Sequence, residues 1–268
     1  MTRSWLRRGA GAVALLLAGA PAAAHTSYLM PSSFAPSRGE YVTLEASFTE
    51  DFFKPEIAVL SDDYHVIRPD GSRGDFDAIT EFRQLVVLEN ALSEEGTYRF
   101  TTGTRLGRVA RRALVDGEWE TIEDPDAPLP EGATEVMSSQ TETVADVYVT
   151  QGAPSRAAVD AVVGRLAIQP VTHPNEIYLD EGFTFDLTFD GAPLAGQELL
   201  LYRDGGAYEE PKYEEEIVTD ENGRVALNFD KPGVYLVMTR HRAAPPADAA
   251  AETDERSYTT SLTFEVLR

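Results

Sequence analysis

Four apolar residues in strict alternation, Phe183, Phe185, Leu187 and Phe189, run directly into Asp190-Gly191. Successive side chains of a strand point to opposite faces, so this pattern demands a half-buried strand ended by a tight turn. The same signature recurs along the chain. Val42, Leu44, Ala46 and Phe48 alternate, as does the run 144–150. Asp116-Gly117 separates candidate strands at 110–115 and 118–122, and Asp220-Glu221-Asn222-Gly223 separates 214–219 from 224–229, so both turns read as hairpins. Further strands are expected at 64–68, 82–88, 97–102, 165–169, 198–203, 234–241 and 258–266, with loops at 123–135 and 243–255. One short helix is expected over 155–163, capped by Ser155. Closely spaced turns between short strands predict an all-β protein rather than a parallel sheet with helices. We expect two β-sandwich domains, 25–163 and 164–268, the second immunoglobulin- or transthyretin-like, a unit of about 100 residues.

Composition narrows the function. The formal charge of −22 argues against nucleic acid and anionic membranes as main partners, which need a basic footprint. Cysteine is absent, which removes disulfides, thiolate chemistry and iron–sulfur ligation. Residues 1–24 read as a cleaved signal peptide: Arg3, Arg7 and Arg8 precede an apolar run from Ala10 to Ala20, and Ala22-Ala23-Ala24 gives the small-residue cleavage pattern. The mature protein is then exported, in a Gram-negative cell to the periplasm.

Cleavage after Ala24 makes His25 the first residue. Its free α-amine and imidazole Nδ1 can chelate one metal ion, and two neutral nitrogens suit nickel, cobalt or copper. His65 and His241 lie near strand ends and are candidate further ligands; His173, between Thr172 and Pro174, is left open. The bland alternative for each is a solvated or carbonyl-bonded histidine. Arg99, Arg105, Arg108, Arg111 and Arg112 form a basic island that suits an anion or merely balances acidic runs. Glu209, Glu210, Glu214, Glu215 and Glu216 form an acidic stretch without the Asp/Asn/Gly alternation of a calcium loop. No Gly-x-Ser-x-Gly, His-Glu-x-x-His or phosphate loop occurs, so nothing nominates an enzyme.

The run from Gly164 to Glu176, the segments Asp190–Gly196, Thr219–Val225 and Pro232–Leu236, and Ala24-His25 with Leu29-Met30-Pro31 together resemble the DUF4198 family. The resemblance covers most of 25–268, with 48–59 departing from it; the later motifs also occur in transthyretin-like and carboxypeptidase-regulatory-like sandwiches. It implies an exported bacterial β protein linked to periplasmic components of nickel and cobalt uptake, with a metal transporter or outer-membrane receptor as partner. Two other readings are weighed: a noncatalytic adhesion or carbohydrate-binding sandwich, and a copper oxidase with an N-terminal histidine brace. The last needs an aromatic substrate-facing surface, and Trp119 is the only tryptophan after the leader.

Overall fold

The computed structural model describes residues 25–36, 41–122, 127–247 and 253–268; the expected leader at 1–24, residues 37–40 and parts of both expected loops lie outside the described residues. The elements are strands apart from a four-residue helix, Ala157–Asp160, and a three-residue turn of 3-10 helix, Gly206–Tyr208. They form three sheets. A first small sheet runs in the order Thr26–Pro31, Tyr41–Thr49, Val86–Ala91, Ala78–Glu81, with Ile57–Ala58 also on Tyr41–Thr49. A second centres on Phe183–Phe189, which pairs with Leu166–Pro170, Ala192–Pro193 and Arg224–Leu227. The third, of eleven strands, has the long strand Glu135–Gln151 near its middle, with Glu255–Val266, Gly233–Ala243 and Glu198–Arg203 on one side and Gly96–Thr101 and His65–Ile67 on the other.

This large sheet joins strands from both halves of the chain. Glu135–Gln151 pairs in parallel with Glu255–Val266, from Ser139↔Glu255 to Val147↔Thr263. Strands from before and after residue 164 therefore belong to one hydrogen-bonded sheet.

Alternation decides what each face of that sheet covers. Ala145, Val147 and Val149 pack with Tyr98 and Phe100 against Leu29, Leu44 and Leu88 of the first small sheet. Tyr148, one step out of phase, packs with Tyr235, Val237, Leu262 and Phe264 against Phe183, Phe185 and Leu187 of the second. The two small sheets thus lie on opposite faces of the large one. At roughly 25 cal/mol per Å² of apolar surface, these two interfaces supply the main folding force.

The dipeptide turns behave as their residues dictate. Asp116 and Gly117 (φ 51° and 89°) and Asp190 and Gly191 (φ 53° and 75°) all adopt positive φ, which two-residue hairpins with the strand twist require. The turn at 220–223 is different. Asp220 accepts at one carboxylate oxygen from the backbone N–H of Asn222 and Arg224, a local Asx turn. Yet Glu214–Val218 pairs with Glu198–Arg203 in the large sheet, and Arg224–Leu227 pairs with Phe183–Phe189 in the second small sheet. The turn carries the chain between layers instead of closing a hairpin. The strand expected at 82–88 splits, because Phe82 N–H bonds Leu85 carbonyl and closes a turn between Ala78–Glu81 and Val86–Ala91. The helix is shorter than expected and its N-cap is Arg156; the Ser155 hydroxyl accepts instead from Thr97 N–H on the neighbouring strand.

Candidate functional site

His25 stands immediately before the first strand, half exposed, between two carboxylates. Its Nε2 is 3.0 Å from Glu56 Oε2, and its Nδ1 is 3.9 Å from Glu50 Oε1. Glu56 is fixed from behind: its Oε1 accepts from Glu50 N–H at 3.1 Å and from the Thr49 hydroxyl at 3.2 Å. The Glu50 backbone bond, helped by the Thr49 bond and the charge of His25, holds the Glu56 carboxyl below the usual range against the opposing cost of burial. A carboxylate at Nε2 favours the tautomer that carries its proton there, which leaves the Nδ1 lone pair free on the Glu50 side.

The same histidine lines a cleft of about 350 Å³ where the edge of the first small sheet meets the large one. Ser27, Phe48 and Ile57 form the wall beside His25. Thr141, Thr143 and Thr259 line the opposite side with Arg105, Arg108 and Arg240. Register places four of these in one transverse row: Arg105 pairs with Thr143, Thr143 with Thr259, and Thr259 with Arg240. Arg105 Nε donates to Leu60 carbonyl at 2.7 Å and its guanidinium lies 4.9 Å from the Phe48 ring. Arg240 Nε donates to the Thr259 hydroxyl at 3.1 Å.

The other histidines occupy separate neighbourhoods. His65 is buried, its Nδ1 2.7 Å from Asp63 carbonyl. His241 has Nδ1 3.1 Å from Gln197 Oε1 and packs 4.7 Å from the Phe189 ring. His173 is buried; its Nδ1 accepts from Asn175 N–H, and its Nε2 lies near Thr97 Oγ1 and Ser155 carbonyl. Among the described residues, no three His, Asp or Glu side chains are already arranged to hold a metal, so His25, His65 and His241 are not brought into one cluster. The α-amine that would complete a His25 site exists only after cleavage.

The basic island divides. Arg99 is buried in a bidentate pair with Asp146, Arg105 and Arg108 face the cleft, and Arg112 lies 5.8 Å from the Trp119 ring on a hairpin. The acidic stretch also divides: Glu209 pairs with Arg203 and Lys231, while Glu214, Glu215 and Glu216 lie on an exposed strand. Glu50, Glu56 and Arg240 escaped the sequence reading. Their significance depends on pairing between strands distant in the chain, which no local spacing encodes.

A family model described as a domain of unknown function, DUF4198, matches residues 22–243. The chain belongs to the DUF4198 family. The matched span includes His25, Glu50, Glu56 and the three cleft arginines. No curated protein sequence matches this DUF4198 chain. Among solved structures, the D0-D1 domain of intimin is similar at 14% identity over 88% of this chain and 96% of that one, with a TM-score of 0.21, a likeness too loose to inform the site.

Proposed function

We propose that this DUF4198 protein works after export, in the periplasm, as a noncatalytic binding protein that holds a divalent transition metal at its new N-terminus and serves a metal transporter or outer-membrane receptor. The observation that carries the reading is the placing of His25 between Glu50 and Glu56. The α-amine and Nδ1 supply the chelate. Glu50 adds a carboxylate on the same side, because a separation of 3.9 Å can be bridged by one ion with bonds of about 2.0–2.2 Å to each atom. Glu56 orients the ring through Nε2, the role carboxylates commonly play behind metal-bound histidines. Nitrogen and oxygen donors without thiolate suit nickel, cobalt or copper(II), with copper the tightest in vitro whatever the physiological ion.

The test is calorimetry on protein beginning at His25, against a version with one extra residue before it. Both retain every side chain, but only the first has the amine beside the imidazole. The extension should weaken nickel and copper binding by several decades, each decade being about 1.4 kcal/mol. Equal affinity of the two proteins removes the N-terminal site. Sequencing of exported protein should start at His25.

A further inference from the structure

Arg105, Arg108 and Arg240 bring three guanidinium groups to one cleft in a chain of net charge −22, and no carboxylate among the described residues is ion-paired with any of them. Buried arginines of the large sheet are treated differently: Arg99, Arg203 and Arg256 are each held by an Asp or Glu. From the row Arg105–Thr143–Thr259–Arg240 we infer that the cleft is a binding site for a small polyvalent oxyanion bearing carboxylate or phosphate groups. This goes beyond the N-terminal metal reading and does not depend on it.

The geometry fits that chemistry. At about 4.7–4.9 Å between neighbouring strands, the Arg105 and Arg240 backbones lie about 14 Å apart across the two threonines. Both arginines line the cleft, so each can turn its free end inward over the hydroxyls. Each uses Nε for a protein acceptor, Leu60 carbonyl or the Thr259 hydroxyl, which fixes the root of the side chain and leaves the terminal nitrogens for a ligand. Guanidinium forks match carboxylate and phosphate oxygens, and their charge needs such a partner most where water is partly excluded. Burial, with no carboxylate to offset it, holds both guanidinium groups below their usual range; for Arg240, repulsion from Arg242 adds to the effect. Arg108 stands exposed at the same cleft as a third positive group.

A second, independent mark of a ligand is Ser27. It lines the cleft and is fully buried, yet its hydroxyl has no hydrogen-bond partner. A buried hydroxyl left unpaired is costly, and a bound oxyanion is an acceptor it can serve. In a chain of net negative charge, three arginines on its walls give the cleft a local positive field in which such a ligand can dwell.

The test is calorimetry on chelator-treated mature protein with citrate and with inorganic phosphate as probes, at low and high salt. One site is expected, weakened by salt. Arg108→Gln and Arg240→Gln should each lower affinity about tenfold or more. Arg68→Gln, which removes the same charge outside the cleft, should change it less than about twofold. Arg108 is exposed and unpaired, so its variant keeps the fold, and a thermal melt checks this. Tighter binding of citrate identifies a carboxylate ligand, and tighter binding of phosphate a phosphorylated one. No heat from either probe at about 10 mM, or equal affinity of the wild type and both cleft variants, overturns the site. Repeating the titration on the version extended before His25 separates the two proposals. Unchanged anion binding there leaves the cleft standing even if the metal site fails.

Discussion

The two faces of the strand Glu135–Gln151 handle charge in opposite ways. On its even-numbered face, Glu142 and Asp146 are buried against Arg256 and Arg99, at 3.3 Å and 2.5 Å. Arg99 is further tied to Ala161 carbonyl, and the short helix closes over it. On the odd-numbered face, Thr141 and Thr143 look into the cleft, where the arginines beside them have no acid. A single step along the backbone therefore separates arginines that complete the core from arginines that await a partner. Residue type alone does not distinguish Arg99 from Arg105; strand phase and layer do.

Removing one partner of the closed pair should have the largest effect. Asp146→Ala strands the Arg99 guanidinium in the core and should cost about 3–5 kcal/mol in urea unfolding. The double variant Arg99→Met/Asp146→Leu, which discards both charges, should recover much of that loss. If the double variant is as unstable as the single one, the pair acts through packing rather than charge, and the contrast between faces fails.

A smaller effect comes from His173, which closes the same covered region. Burial lowers its pKa below the ordinary 6.5, ahead of the opposing hydrogen bond to Ser155 carbonyl. Asn175 N–H already occupies Nδ1, so a second proton would face a donor. The unfolded chain then binds the extra proton first as pH falls. The stability due to neutral His173 is complete above about 6.5 and is lost as pH drops from there towards the lower folded value, at no more than about 1.4 kcal/mol per pH unit. His173→Gln should flatten that part of the stability–pH curve, read from thermal melts between about pH 4 and 8. An unchanged slope would assign it to other groups.

The smallest effect is expected on the open face. Arg240→Met removes a half-buried charge with no acid beside it and one hydrogen bond to Thr259, so the change in stability should be within about 1 kcal/mol. A loss comparable to that of Asp146→Ala would make Arg240 a structural residue and erase the distinction.

Local chemistry was legible in the sequence. Asp116-Gly117 and Asp190-Gly191 form the hairpins their backbone freedom predicts, and the alternation at 183–189 marks a strand buried on one face. What was not legible is which strands meet. The 220–223 turn has hairpin residues, but turn chemistry specifies only that the chain reverses, and the pairing of its flanks is set by layers formed far away in sequence. For the same reason Arg105 and Arg108 stood out as part of a basic run, whereas Arg240 joins them only through two intervening strands. His25 stands out in the sequence only through the expected cleavage after Ala24; its carboxylate neighbours depend on the return of the chain at 49–57.

The last strand, Glu255–Val266, lies between Gly233–Ala243 and Glu135–Gln151, in the interior of the large sheet. Without it the large sheet would be two part-sheets with raw edges and no seam between them. On one side the strand meets its neighbour in the chain, Gly233–Ala243; on the other it meets residues more than a hundred positions away, as in Ser139↔Glu255. Contacts of such long sequence separation form slowly and late. The seam is therefore the step that closes last, whichever of the two halves orders first.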